Sequence, residues 1–424
     1  MPVTSLQTPQ STFRAAQDAG TLALPAAGRR VALLAVHHLN VDGFVFAGGA
    51  EKYIQMTIRA LLRSGASVHV GYSGVSIYDE LLDVTEPHRL TVEHTGWLDE
   101  SLSGDRDVSV ALLRRRRRWL RAAGADTLFV VQQDHGAAFL TSLLAARTLG
   151  LRVVSSIRQM PPSLPSLPAR RLLRVVPMPR FWRRRVTRRQ RWPARLCDAV
   201  ILNSRRVADA YIRQYGLREE SVRIIFNGEP PASCPRRTAA REAVCIGTSG
   251  RVTPAKGADV LYDAFKLIAG RFPRARLAYF GDGPLAGELR GRAGADGLGH
   301  RVEFAGYSAD RDDMHDRVDI YVQASRRESM SNSVIEAMAR GKPCIVTDVG
   351  GLPEAVAHGE CGYVVPPGCA RSLADALAAI LSEDGAIDRL GEAAQRRARR
   401  LFDMRRFERE TVSTILGIRE GAID

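Results

Sequence analysis

Two glutamates eight positions apart, Glu328 and Glu336, frame the segment of this chain that is best suited to chemistry. The polar stretch 329–333 between them is predicted to open a helix, and Gly350 and Gly351 follow the next apolar strand. A helix N-terminus presents unpaired N–H groups and the positive end of a dipole, so it suits a phosphate. Glu336, about one turn inside that helix, would repel phosphate but accept hydrogen bonds from ribose hydroxyls. The pattern predicts a nucleotide diphosphate site, with Glu328 reaching whatever lies beyond the phosphates.

Two cations earlier in the chain suit the same ligand. Arg251 and Lys256 follow a predicted strand, 244–248, in a loop that precedes a helix. Arginine binds a diphosphate through two parallel hydrogen bonds, and lysine adds a point charge. Taken singly, the two motifs have plainer interpretations: a pair of surface cations, and an N-capped amphipathic helix with solvated carboxylates.

The segment 328–351 resembles the Glu-x7-Glu signature of the retaining glycosyltransferases of family 4, and the similarity continues through 336–368. The resemblance implies the GT-B fold, in which two doubly wound Rossmann-like domains face each other across a cleft. It implies that Glu328 lies by the donor sugar, that Glu336 binds the donor ribose, and that both cations contact the donor phosphates. It also implies a donor-binding role for the intervening loop, whose residues are Ser329, Met330, Ser331, Asn332, Ser333 and Val334.

The loop after Glu328 departs from the family pattern at one place. The family commonly has Gly-Phe-Gly there, whereas this chain has Ser329, Met330 and Ser331. We expect these bulkier residues to alter how the donor sugar is seated.

The first half of the chain supplies further candidates. Gly48 and Gly49 lie beyond the first predicted strand, where glycines allow a phosphate or sugar to approach the backbone closely. His135 follows the third strand and Arg158 ends the next one. In the resembled family, a Gly-Gly loop borders the donor phosphate and the acceptor, and a histidine like His135 borders the donor sugar. His135 is therefore a catalytic candidate, and Arg158, which stands where the family often has histidine, favours an acceptor with negative charge. A tight turn and a capping histidine are the plainer alternatives.

Alternating strands and helices predict two domains with parallel sheets. Ligands of such domains bind at the carboxyl ends of the strands. A proline-containing stretch without apolar periodicity separates the two series of strands. The predicted organisation is a loose N-terminal tail, an acceptor-side domain, a linker, a nucleotide-sugar-binding domain and a C-terminal helix that packs back on the first domain, at 1–28, 29–228, 229–241, 242–400 and 401–424.

The formal net charge of +15 is unevenly distributed. Between positions 135 and 197 there is no aspartate or glutamate, and there are 14 arginines. The part 159–195 also contains Phe181, Trp182 and Trp192, so docking on an anionic membrane surface is one interpretation. A solvated basic loop is another. Nucleic acid is not expected as a partner, because no recognised nucleic-acid motif accompanies the segment.

The six cysteines are scattered without a CxxC pair, which indicates a reducing compartment and neither a zinc site nor a disulfide framework. The sequence shows no apolar run of membrane-spanning length and no secretory signal. We expect a cytoplasmic protein that is peripheral to the inner face of the membrane if the basic segment docks there. Two Asp-x-Asp sequences, 105–107 and 310–312, are interpreted as chance matches, so no metal or other cofactor is expected.

Together the motifs predict a glycosyltransferase that moves a sugar with retention from a nucleotide diphosphate sugar to the hydroxyl of a glycan or lipid-linked acceptor. A UDP-sugar is favoured over a GDP-sugar. The alternatives are a GT-B relative with other chemistry, such as a nucleotide-sugar epimerase, and a non-catalytic binder of glycan or nucleic acid. The presence of both glutamates and both cations argues against a decayed site.

Overall fold

A computed structural model describes residues 26–36, 49–73, 87–95, 110–132, 137–161, 195–232, 243–307 and 311–418. The chain forms two compact units. The N-terminal unit comprises residues between Thr21 and Asn227 together with those from Arg405 onward, and the C-terminal unit comprises Gly228–Met404. Most of the predicted linker, and nearly all of the predicted N-terminal tail, lie outside the described residues.

Seven parallel strands form the sheet of the N-terminal unit, in the order β3-β2-β1-β4-β5-β6-β7. Strands buried on both faces of a parallel sheet need continuous apolar runs, and β4 and β6 have them. The strands are β1 Arg30–Val36, β2 Ser67–Ser73, β3 Leu90–His94, β4 Thr127–Gln132, β5 Arg152–Ile157, β6 Ala199–Leu202 and β7 Val222–Ile224. The helices before the boundary are α1 Gly49–Arg63, α2 Val110–Ala122, α3 Ala137–Arg147 and α4 Arg205–Tyr215.

Six parallel strands form the sheet of the C-terminal unit, in the order β10-β9-β8-β11-β12-β13. Strands β8 and β11 are neighbours at the centre of this sheet, and the strand order proceeds outward from them in opposite directions. Ligands of doubly wound sheets bind at the carboxyl ends of the strands at such a point. The strands are β8 Val244–Ser249, β9 Ala275–Phe280, β10 Val302–Gly306, β11 Ile320–Gln323, β12 Cys344–Thr347 and β13 Gly362–Val365. The helices are α5 Ala258–Ala269, α6 Ala286–Ala295, α7 Arg311–Asp316, α8 Asn332–Ala339, α9 Leu352–Ala355, α10 Ala370–Ser382 and α11 Ala386–Leu401.

The last helix, α12 Met404–Leu416, packs from Arg405 onward within the N-terminal unit. Arg63 donates to the Glu408 carboxylate at 2.7 Å, and Arg152 donates to two carbonyl oxygens in the last turn of α12 at 3.0 and 3.1 Å. Cations that bind the terminal carbonyls of a helix satisfy acceptors that lack partners within the helix. None of the helices in the described parts of the chain is long and apolar enough to cross a bilayer.

Candidate functional site

The loop that carries the two predicted cations is fixed to the end of β9. Gly250 N–H donates to the Phe280 carbonyl, and Val252 N–H donates to the Asp282 carbonyl, each at 2.9 Å. A Cβ on Gly281 would lie 2.0 Å from the Gly250 oxygen, so a glycine is needed for this close approach. These contacts therefore hold the loop after β8 at a defined place at the carboxyl edge of the sheet.

Arg251 and Lys256 line the same small cleft at the end of β8. Arg251 is exposed, and Lys256 ends a short 3₁₀ turn, Pro254–Lys256, that precedes α5. The Lys256 ammonium donates to Glu328 Oε2 at 2.5 Å. The other carboxylate oxygen, Oε1, accepts a hydrogen bond from Ser329 N–H at 3.2 Å. The structure thus brings together both predicted cations and the first predicted glutamate.

Arg326 braces the turn that carries Lys256, and sequence reasoning missed it. Its guanidinium binds the Asp259 carboxylate through two bonds of 2.7 and 2.6 Å and donates to the Pro254 carbonyl at 2.5 Å. Its backbone N–H donates to the Ala255 carbonyl at 2.9 Å. The hydrogen bond from Arg326 lowers the pKa of Asp259. The loop after β11 and the turn after β8 are therefore tied together beside the Lys256–Glu328 pair.

The Ser-Met-Ser departure from the family pattern lies inside the unit. Ser329, Met330 and Ser331 are all buried. Ser331 is the N-cap of α8: its hydroxyl accepts from Val334 N–H at 3.4 Å and donates to Gln323 Oε1 at 3.2 Å. The three residues of this departure are therefore largely shielded from solvent, and their effect on the donor sugar stays a prediction.

The glycine pair after β12 closes onto the same loop. Gly351 N–H donates to the Ser329 carbonyl at 2.6 Å. Gly350 has a φ of +50°, and a Cβ there would lie 2.0 Å from the Glu328 carbonyl oxygen. Both the backbone conformation and the close approach therefore require glycine at position 350.

Tyr321 links the end of β8 to the start of α8. Its hydroxyl lies 2.9 Å from Ser249 Oγ, accepts from Ser249 N–H at 3.3 Å and is hydrogen-bonded to the side chain of Ser333. Burial raises the pKa of Tyr321 to about 12. The pattern of an apolar strand predicts Tyr321 only as core, so sequence reasoning did not find this connection.

Glu336 lies in α8, and its side chain is 3% exposed. His315 of α7 is completely buried, and its Nε2 lies 3.7 Å from Glu336 Oε2. That separation is longer than a hydrogen bond. Burial lowers the pKa of His315 below its usual value of 6.5, although the nearby Glu336 opposes this shift. The ring is therefore neutral at neutral pH, and sequence reasoning gave no sign of it.

Two of the candidates in the N-terminal unit, Gly49 and Arg158, lie within the described residues. Gly49 is the first residue of α1, and Tyr53 follows one turn later. The Arg158 guanidinium, just beyond β5, lies 3.8 Å from the centroid of the Tyr53 ring. Burial lowers the pKa of Arg158 to about 10, so it keeps its charge at neutral pH. Gly48 and His135 lie outside the described residues.

Other sequence predictions also fall outside the described parts of the chain. These are the Asp-x-Asp sequence 105–107, Asp310 of the second one, and residues 162–194 of the basic segment. Within the described ranges, no group of three or more His, Cys, Asp or Glu side chains lies together in a way that could hold a metal.

Two family models match successive parts of the chain. Glycosyltransferase Family 4 matches residues 47–231, and Glycosyl transferases group 1 matches residues 237–397. The chain belongs to the group 1 glycosyltransferases of family 4, as the Glu328–Gly351 segment predicted.

The curated relatives include the mannosylfructose-phosphate synthase of Agrobacterium fabrum, which is 31% identical over 49% of this chain and 50% of that protein. The lipopolysaccharide core biosynthesis mannosyltransferase LpsB of Rhizobium meliloti is 28% identical over 52% of this chain and 66% of that protein. The chain spans about half the length of the first curated relatives that it matches.

Among solved structures, Anabaena HepE in complex with UDP superposes with a TM-score of 0.71 at 20% identity, covering 92% of this chain and all of that one. The same protein in complex with UDP-glucose gives a TM-score of 0.68. At this identity the likeness concerns the fold, and it confirms the predicted GT-B class with its two parallel α/β domains.

Proposed function

We propose that this chain is a retaining glycosyltransferase that moves a sugar from a nucleotide diphosphate sugar to an acceptor hydroxyl in the synthesis of a glycan, polysaccharide or glycolipid. The observation that carries the proposal is the cluster of Arg251, Lys256 and Glu328 beside the N-terminus of α8, at the carboxyl edge of one sheet. Two cations and a helix N-terminus form a site for a diphosphate, and a carboxylate next to them suits sugar hydroxyls.

The positive groups of this cluster would stabilise the leaving diphosphate. Charge develops on its phosphate oxygens as the bond to the sugar breaks, and cations that are already in place lower the energy of that transition state. Arg251 and Lys256, together with the α8 dipole, would supply this charge. We therefore propose that the reaction needs no metal ion and no other cofactor.

The transfer would proceed on one face of the sugar. The bond between the anomeric carbon and the phosphate oxygen breaks while the acceptor oxygen forms a bond to the same carbon from the same side. The acceptor proton passes to the leaving phosphate oxygen. No side-chain base is required in this route, and the anomeric configuration is retained. Glu336 would hold the donor ribose, and Glu328 would contact the sugar.

A UDP-sugar is the favoured donor. The support comes from the solved relatives, since Anabaena HepE was captured with UDP and with UDP-glucose. The acceptor is proposed to be a glycan or a lipid-linked glycan, in keeping with the name of the LpsB relative. A half-buried, charged Arg158 beside α1 suits an acceptor that carries a negative group.

The basic segment suggests where such a lipid-linked acceptor would be met. Positions 135–197 contain 14 arginines and no aspartate or glutamate. This concentration of positive charge suits attraction to anionic lipid headgroups. We place the protein in the cytoplasm, at the inner face of the membrane, with 159–195 as the contact.

The decisive assay follows the anomeric proton by NMR while nucleoside diphosphate release is recorded in excess EDTA. The proposal predicts release only when an acceptor is present and a product with the anomeric configuration of the donor. Release without an acceptor would favour an epimerase, and an inverted product would refute retention. Loss of activity in EDTA that manganese restores would refute the metal-free route. Donor binding without any turnover, across a panel of glycan and glycolipid acceptors, would favour a non-catalytic binder.

A further inference from the structure

The Glu328 carboxylate accepts hydrogen bonds from two groups that a donor phosphate would need. One oxygen takes the Lys256 ammonium at 2.5 Å, and the other takes the Ser329 amide at 3.2 Å. Each of these groups belongs to the predicted diphosphate-binding set. In the structure, an anion of the protein itself therefore sits where the anion of the ligand is expected.

This arrangement is held in place from several sides. The Glu328 side chain is 14% exposed and that of Lys256 is 32% exposed, so the pair is only partly screened by water. Gly350 and Gly351 fix the backbone at Glu328 and Ser329, and Arg326 fixes the turn of Lys256. The carboxylate consequently stays next to any phosphate that binds Lys256.

When a ligand binds here, Lys256 has to exchange Glu328 for a phosphate. The displaced carboxylate then lies close to a second negative charge. Like charges at short range in a partly desolvated site repel one another. The hydroxyls of a sugar can donate hydrogen bonds to the displaced carboxylate and offset the repulsion, whereas a nucleoside diphosphate has no sugar to do this.

We propose that Glu328 selects for the sugar-bearing donor over the nucleoside diphosphate product, by competing for Lys256 whenever no sugar hydroxyl is present to bind it. The inference rests on the proposed function and deepens it. After transfer, the sugar leaves the reach of Glu328, and the carboxylate returns to Lys256 and Ser329 N–H. That return displaces the product phosphate and thereby favours product release.

Isothermal titration calorimetry tests this selection directly, with UDP, UDP-glucose, GDP and GDP-mannose as probes. The variants are Glu328→Gln and Glu328→Ala, which remove the same charge with and without a polar side chain. Glu383→Gln is the matched control, because Glu383 pairs with Arg389 at 2.6 Å on an exposed part of the same unit. Circular dichroism and thermal melting check that each variant is folded.

Both Glu328 variants should bind the nucleoside diphosphate about fivefold more tightly than wild type, since a partly exposed ion pair contributes about that factor. Their preference for the nucleotide sugar over the nucleoside diphosphate should fall, and Glu383→Gln should match wild type. If wild type binds the nucleoside diphosphate and both Glu328 variants bind it no more tightly, that result would overturn this inference and leave the proposed function standing. Failure of wild type to bind any of the four probes would overturn the proposed function and this inference with it.

Discussion

The burial of Glu336 has to be compatible with the ribose-binding role that is predicted for it. A carboxylate that is 3% exposed has lost most of its water, so hydroxyl donors from a ribose would be strong partners for it. Hydrogen bonds to a charged group are worth about 1.5–3 kcal/mol, or roughly tenfold or more in affinity. We expect wild type to bind UDP at least about tenfold more tightly than 2′-deoxy-UDP, and Glu336→Gln to lose most of that preference.

Calorimetry on each variant gives this ratio, and the comparison of two ligands on one protein cancels any general loss of stability. Equal binding of the ribo and deoxy nucleotides by wild type would place the role of Glu336 elsewhere.

His315 should make the stability of the C-terminal unit depend on pH. Burial lowers its pKa below the usual 6.5, so the unfolded chain binds a proton that the folded ring resists. The stability associated with the neutral ring is fully present above pH 6.5 and is lost as the pH falls below it. Chemical denaturation at pH 7 and pH 5.5 should show a smaller decrease in the free energy of unfolding for His315→Gln than for wild type. The same decrease in both proteins would show that His315 is not the group that titrates.

At the scale of elements, the loop between β11 and α8 depends on the glycine pair after β12. Gly350→Ala would place a Cβ 2.0 Å from the Glu328 carbonyl at a φ of +50°, so the loop would have to move. We expect a loss of roughly 1–3 kcal/mol in stability and weaker binding of UDP, because Glu328 and Ser329 would shift.

Gly368→Ala is the matched control. Gly368 has a φ of +75° and nothing within 4 Å of the added Cβ, so it shares the backbone strain without the collision. The two melting temperatures and the two UDP affinities separate the effects. If Gly350→Ala and Gly368→Ala change the melting temperature and the UDP affinity equally, the close contact with Glu328 is not the reason that position 350 requires glycine.

Elements buried on both faces could be predicted from the sequence, and those set by tertiary contacts could not. The run Ala199–Leu202 is apolar throughout, a pattern that predicts a buried strand, because a covered parallel strand has no polar face. Strand β3, Leu90–His94, has no such run, because polar residues alternate along it and only Leu90 is buried. Arg251 and Lys256 stand out in the sequence because they follow a strand and precede a helix, and Glu328 because it lies eight positions before Glu336. His315, Tyr321 and Arg326 do not, since their roles depend on partners distant in sequence.

At the scale of the whole molecule, the excess of 15 positive charges should act through the segment 159–195. Basic residues near an anionic bilayer contribute about 1 kcal/mol each, and the attraction weakens as salt screens it. Replacing Arg183, Arg184 and Arg185 with glutamine should therefore reduce binding to phosphatidylserine-containing vesicles. The affinity for UDP should stay at the wild-type value, because the proposed nucleotide site lies in the C-terminal unit.

Vesicle co-sedimentation measures this effect at low and high salt. The control replaces Arg371, Arg389 and Arg396, which are exposed and paired with acids in the C-terminal unit, so the total charge changes equally. Equal binding to neutral vesicles, or equal losses in the two triple variants, would contradict membrane docking through 159–195.

Binding of UDP to wild type, Arg251→Ala and Lys256→Ala, measured by calorimetry, tests the nucleotide site most directly. Lys266→Ala is the control, because Lys266 pairs with Asp296 at 2.7 Å on the surface of the same unit. We predict that wild type and the control bind UDP alike, and that each of the other two variants loses about tenfold or more in affinity. UDP binding of equal strength in all four proteins would show that these cations do not hold the diphosphate.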